Sequence, residues 1–203
     1  MHTLQHNHIV RAVAFPNQTH PQILATGGME KKLRIFDLSR STSSPTSDTA
    51  SAAPPPSYEI GPGAHGGTIK SIVWAGGSDN NILITAAEDK KIRWWDLRTR
   101  STIGEYTVEG PVGTCELENT SENGVLSVAA GKSVYFFDSI RPGSLIKSIK
   151  TPYELASVAL HSGQRKFVTG GSNQNDTWVR VWDYDEEKEL GMLQLCLDVS
   201  LIC

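Results

Sequence analysis

The chain has 203 residues, 38% of them hydrophobic and 20% charged, with 19 Lys+Arg against 22 Asp+Glu and a formal net charge of −3. That is enough apolar material for a core, which excludes a wholly disordered chain, and the basic excess of a dedicated polyanion binder is missing. Three cysteines (Cys115, Cys196, Cys203) are too few and too scattered for a disulfide framework or a zinc site.

The first eight residues lack an apolar signal core, and no apolar run approaches the roughly 20 residues a membrane helix needs. The expectation is a soluble protein of a reducing compartment, with no membrane partner. The acidic excess is local: residues 151–203 hold Arg165, Lys166, Arg180 and Lys188 against eight acids, five of them between Asp183 and Glu189. Such a run reads as a solvated turn.

In chain order the predicted elements are short and β-like. Strands are expected over 9–15 and 23–25, then in a line closing at Asp37. Residues 39–58 are rich in Ser, Thr, Ala and Pro, with Pro54-Pro55-Pro56, and cannot build a core. They are expected to form a flexible loop inserted between two sheets. Strands follow over 69–74 and 82–84, at Arg93-Trp94-Trp95-Asp96, and over 102–106 as an outer strand. The succession returns as 112–117, 125–128, a line closing at Asp138, and 145–149; then as 155–160, 166–168 and a line closing at Asp183. Several segments alternate with the period of two that a half-buried strand requires, and none has helical periodicity. The expected class is all-β, built from repeated antiparallel sheets.

One line recurs. Thr26-Gly27-Gly28-Met29-Glu30-Lys31-Lys32-Leu33-Arg34-Ile35-Phe36-Asp37 returns as Thr85-Ala86-Ala87-Glu88-Asp89-Lys90-Lys91-Ile92-Arg93-Trp94-Trp95-Asp96. A weaker copy runs from Ser127 to Asp138, and a fourth from Thr169 through a three-residue insertion to Asp176-Thr177-Trp178-Val179-Arg180-Val181-Trp182-Asp183. The closing residues Asp37, Asp96, Asp138 and Asp183 are 59, 42 and 45 apart. The last two intervals match the roughly 40–45-residue period of a four-stranded propeller blade. The repeats fall at about 5–38, 62–106, 107–149 and 150–191, with 192–203 as a tail that fits none of them.

These residues resemble the WD-repeat β-propeller family. Its pattern is an early His, a Ser/Thr before a tight turn, an Asp in that turn, and a closing Trp-Asp. Repeat two carries the full set, His65, Thr85, Asp89 and Trp95 followed by Asp96. The aspartate is expected to hold the imidazole, the imidazole the hydroxyl, and the hydroxyl the indole N–H. Repeat one is read with His8 and Thr26 but Glu30 and Phe36, repeat three with Gly131 and Phe137, and repeat four with Thr169, Asp176 and Trp182 but no matching His. Those three are expected to rely on packing. The order of the repeats is similar to a branch of seven-bladed scaffolds of the cytoplasm and nucleus. What that resemblance implies is an incomplete ring, here about four blades, since seven need roughly 300 residues. Met1 to Leu4 would then be the last strand of a missing blade, and the tail a truncation or splicing artefact.

The resemblance also implies protein partners: components of the complex that loads Sm proteins onto spliceosomal RNAs, a cold-shock-domain RNA-binding protein, and receptor kinases, with RNA met indirectly. Translation-initiation-factor and mitotic-checkpoint WD proteins are the alternatives. No kinase motif is present, and no small-molecule substrate, catalytic residue, cofactor or metal is expected. His2, His6 and His8 lack carboxylate or cysteine support for a metal. Lys31, Lys32 and Arg34, with Lys90, Lys91 and Arg93 at the equivalent places, are candidates for a basic strip that grips a partner. Trp178 is a candidate interface anchor, and Ser44-Pro45 a candidate phosphosite.

Overall fold

Residues one apart on a strand point to opposite faces of its sheet, so the twin aromatics Trp94-Trp95 and Phe136-Phe137 must serve two different interfaces. The computed structural model, which describes residues 4–17, 21–39, 56–63, 65–75, 81–118, 124–172 and 178–194, places them so. The first sheet comprises β1 (Val10–Ala14), β2 (Ile23–Gly28), β3 (Leu33–Asp37) and β4 (Ser57–Ile60). The second comprises β5 (Ile69–Trp74), β6 (Ile82–Ala87), β7 (Lys91–Asp96) and β8 (Ser101–Thr107). The third comprises β9 (Val112–Glu118), β10 (Val125–Ala130), β11 (Ser133–Asp138) and β12 (Leu145–Lys150). The fourth comprises β13 (Leu155–His161), β14 (Lys166–Gly171), β15 (Trp178–Asp183) and β16 (Glu189–Gln194).

Within each sheet the strands pair antiparallel in chain order. The first strands of successive sheets lie side by side, β1 with β5, β5 with β9 and β9 with β13. This is the blade arrangement of a β-propeller, four blades in an arc, as the repeats imply. A single 3-10 turn, Ser162–Gln164, is the helical content of the described residues. No helix among them is long and apolar enough to cross a membrane.

The core consists of three layers between neighbouring blades. Between blades one and two, Leu33, Ile35 and Ile60 meet Ile72, Leu83 and Trp95. Between two and three, Trp94, Ile84 and Ile92 meet Leu126, Val128 and Phe137. Between three and four, Phe136, Val134 and Ile149 meet Val158, Phe167 and Trp182. Trp94 and Phe137 meet edge to face at 5.4 Å, as do Phe136 and Phe167. Each first strand carries one extra residue relative to its partner, at Val10/Ala12, Ile69/Ser71, the β9–β10 pairing, and Leu155/Ser157. At the β9 bulge the neighbouring first strands β9 and β13 approach closely. A Cβ on Gly113 would stand 2.2 Å from the carbonyl oxygen of Ala156, so only glycine fits.

Two boundaries differ from the sequence reading. Ser57 and Tyr58 belong to β4, which pairs with β3. The Pro-rich insert therefore lies within blade one, between its third and fourth strands, and not between blades. The repeated line ends at its closing aspartate in every copy, and in blade one the return strand lies beyond a long connection. Met192–Gln194 continue β16, opposite Arg180 to Trp178, so the blade runs past residue 191. An edge ladder is held by backbone hydrogen bonds and does not need the repeat's side-chain pattern. Ser44, Asp176 and residues 195–203 lie outside the described residues.

Substitution of Gly113 by Val is expected to destabilise the fold by about 1–3 kcal/mol through overpacking. The same change at Gly191, where no atom lies within 4 Å of the added Cβ, should stay within about 0.5 kcal/mol. Urea titrations of the two variants measure the difference.

Candidate functional site

The buried polar chain of blade two is complete. The loop before β5 carries His65, β6 carries Thr85, the tight β6–β7 turn carries Asp89, and β7 carries Trp95. His65 Nδ1 lies 3.1 Å from Asp89 Oδ2, and Nε2 lies 2.7 Å from Thr85 Oγ1. Trp95 Nε1 donates to Thr85 Oγ1 at 2.8 Å. Asp89 also accepts the N–H groups of Gly66 and Lys91 at 2.9 and 3.1 Å, which ties the incoming loop to the turn. The Asp–His–hydroxyl order is that of a nucleophilic triad. Here the hydroxyl is committed: Thr85 is fully buried and already accepts the indole N–H. The arrangement fastens a loop to three strands.

The other blades carry graded remnants. In blade one the imidazole belongs to His6, not His8. His6 Nε2 lies 3.4 Å from Thr26 Oγ1, and its ring meets Phe36 edge to face at 5.6 Å. The twenty-residue separation of His65 from Thr85 picks out His6 from Thr26 and was available in the sequence. Glu30 takes the place of Asp89, accepting the N–H groups of Asn7 and His8. His6 Nδ1 stands 3.8 Å from Glu30 Oε1, beyond hydrogen-bond reach, and the link to an indole is lost because Phe36 has no N–H. In blade four Trp182 Nε1 donates to Thr169 Oγ1 at 2.9 Å, and Arg180 lies 3.6 Å from the ring centre of Tyr153. In blade three the register places Val128 opposite Tyr135, as Thr85 stands opposite Arg93. Ser127 is thus not the hydroxyl of the chain; it donates to Glu116 O at 3.2 Å. The β10–β11 turn is one residue shorter than the β6–β7 turn, which put the sequence comparison out of step.

Burial pushes the His65 pKa below its ordinary 6.5, with Asp89 pulling upward and Arg93 adding to the depression. His6 is lowered too, by burial and then by Arg34, against Glu30. Asp89 is pushed up by burial, but the Gly66 N–H, His65 and the Lys91 N–H outweigh this and hold it below the usual carboxylate value.

Four of the six residues of the expected basic strip are ion-paired within their own blades. Lys32 pairs with Glu59 and Arg34 with Glu30. Lys91 and Arg93 pair with Glu105, and Arg93 reaches Asp89 as well. Arg93 is only 7% exposed, which removes it from any surface contact. Lys31 and Lys90 occupy the left-handed position of their turns, at φ 60° and 63°. Trp178 is half-buried on β15, opposite Gln194.

The closing aspartates share a local task that the repeat alone did not disclose. Their Oδ1 atoms accept backbone N–H groups two residues on: Ser39 for Asp37, Arg98 for Asp96, Ile140 for Asp138 and Asp185 for Asp183. Each caps the end of its third strand with an Asx turn.

The sequence pattern of the family "WD domain, G-beta repeat" matches residues 61–96, the loop and strands that carry the complete polar chain. The second blade is a WD repeat, and the four blades together have the architecture of a WD-repeat propeller. Over 188 residues, 93% of this chain, it is 32% identical to the serine-threonine kinase receptor-associated protein of Gallus gallus and covers 47% of it. Against the Homo sapiens protein of that name it is 30% identical over 188 residues, with 47% covered. Against the one from Dictyostelium discoideum it is 30% identical over 190 residues, with 56% covered. The chain spans about half the length of the curated relatives it matches.

Thr85→Val strands two buried partners and should cost about 1–3 kcal/mol, while Thr26→Val, with one long contact, should cost less; chemical denaturation compares them. Stability is also expected to depend on pH. A histidine whose folded pKa is depressed binds fewer protons folded than unfolded, so its contribution is present above the unfolded value of 6.5. It is lost as pH falls from there through the folded value. Thermal melts should fall between pH 7.5 and 5, and His65→Gln should flatten that slope.

Proposed function

We propose that this chain is a non-enzymatic interaction scaffold of the cytoplasm and nucleus, working with the complex that assembles Sm proteins on spliceosomal small nuclear RNAs or as an adaptor of a receptor kinase. The observation that carries this reading is the similarity along 93% of the chain to proteins named for association with a serine-threonine kinase receptor. The polar chain supports the non-enzymatic part: its one triad-like hydroxyl is sealed in the blade and occupied. Contacts with RNA are indirect, through protein partners. Lys31, Lys90 and Trp178 are the proposed contact residues.

Affinity capture of the tagged chain from cell extract, read by mass spectrometry, should recover Sm-assembly components or a receptor kinase. Capture should weaken in a Lys31→Glu/Lys90→Glu variant. Recovery of initiation-factor subunits instead would replace this reading with that of a translation-factor WD subunit.

A further inference from the structure

Blades pack through their faces, with the first strands side by side and the fourth strands at the circumference. The outer rim of blades two and three is therefore a surface that no further blade would cover. There the β11–β12 turn of blade three reaches back onto β8 of blade two: a Cβ on Gly104 would stand 2.9 Å from the Cβ of Pro142. Ile103 adjoins Gly104, Ile140 lies two residues before Pro142, and Leu145 and Ile146 follow the same turn. These four are between 36% and 52% exposed. Gly104 stands opposite Trp94 and Leu145 opposite Phe137. Trp94 and Phe137 meet inside the blade two–three layer, so Gly104 and Leu145 belong to the outer seam of that layer.

Ile103 and Ile146 are the extra residues of two bulges, since Thr102 and Gly104 pair with Trp95 and Trp94, and Leu145 and Lys147 with Phe137 and Phe136. A bulge interrupts the row of N–H and C=O groups that an added strand would use, so the seam offers side chains and not backbone. The charges it leaves for a partner are positive. Arg98 and Arg141, in the β7–β8 and β11–β12 turns, have side chains 67% and 80% exposed, and they stand 3.6 and 3.8 Å from Asp96 and Asp138, too far for direct hydrogen bonds. Those two aspartates are engaged as Asx acceptors, and Glu105 on β8 is held by Lys91 and Arg93. Blade four has the same bulge, at Leu190, but its turn carries Asp185, Glu186 and Glu187. The combination of aliphatic and basic residues is that of the blade two–three seam.

We infer that this seam docks an amphipathic helix of a partner protein, its apolar stripe on Ile103, Ile140 and Ile146 and its flanking Asp and Glu residues on Arg98 and Arg141. The inference rests on the scaffold reading but uses a surface other than the turn lysines proposed above. The assay below can fail while partner capture succeeds, so the two are separable.

A phage library of helix-forming peptides of about four turns is first depleted on an Ile103→Asp/Ile146→Asp chain and then selected on the unsubstituted 203-residue chain. Enriched sequences are expected to carry aliphatic or aromatic residues at i, i+3 or i+4, and i+7, with Asp or Glu beside them. The leading peptide, labelled and titrated by fluorescence anisotropy, should bind saturably and gain helical circular dichroism. Ile146→Asp should weaken it at least about tenfold, and Arg141→Glu about two- to tenfold, with less effect at high salt. Both positions are exposed, and melting confirms the fold; the Arg141→Glu result stands by itself should Ile146→Asp not fold. Val168→Asp, on the bare face of blade four, should leave the affinity unchanged. No enrichment after depletion, enriched peptides without the acidic residues, binding in an extended form, or equal affinity for Arg141→Glu overturns the inference. So does a peptide lost on Val168→Asp, or self-association in sedimentation that Ile146→Asp removes, which would make a second copy the occupant.

Discussion

Alternation along the third strand of each blade is the constraint on which the rest depends. Trp94 and Trp95 are neighbours in sequence and belong to different cores, the first facing blade three and the second blade one. Phe136 and Phe137 divide in the same way between blades four and two. No blade owns a core. Each contributes one apolar face to the layer before it and another to the layer after, so the stability of any blade is shared with its neighbours.

The polar chain works on top of that packing and differs from blade to blade. Blade two, with the full chain, fastens its loop through Asp89, His65, Thr85 and Trp95. Blade three has none of these groups; its Tyr135 and Phe137 instead cluster with Tyr106 of blade two, Tyr106 and Phe137 5.0 Å apart, and Phe137 also meets Trp94. The two tryptophans of blade two show the contrast within one strand. Trp95 Nε1 has Thr85, whereas Trp94 Nε1 is buried with no hydrogen-bond partner among the described residues. An unpaired buried N–H of this kind carries a desolvation cost of about 1–3 kcal/mol, against which stands the packing of the ring on Phe137. A buried network is worth having when every member is satisfied, and an apolar replacement is the sound alternative.

The charges near the tight turns follow the same economy. Glu59, Glu30, Glu105 and Asp89 hold Lys32, Arg34, Lys91 and Arg93. Two arginines that resemble surface contacts in the sequence are therefore parts of the blade. Lys31 and Lys90, at the left-handed turn positions, are the proposed partner contacts among these residues.

The sequence by itself determined the blade count in this stretch, the antiparallel strand order and the complete chain of blade two, because each depends on local period and on spacings a repeat makes visible. It also held the His6 assignment, in the twenty-residue separation from Thr26. Only the tertiary structure decided that β4 returns after the Pro-rich segment, that Val128 and not Ser127 stands in the hydroxyl place, and that β16 extends through Gln194. Those outcomes are fixed by backbone pairing across strands, and a ladder of N–H and C=O groups leaves no mark in side-chain text. The fate of the basic residues was decided there too, since an ion pair such as Arg93 with Glu105 joins neighbouring strands whose register the sequence does not display.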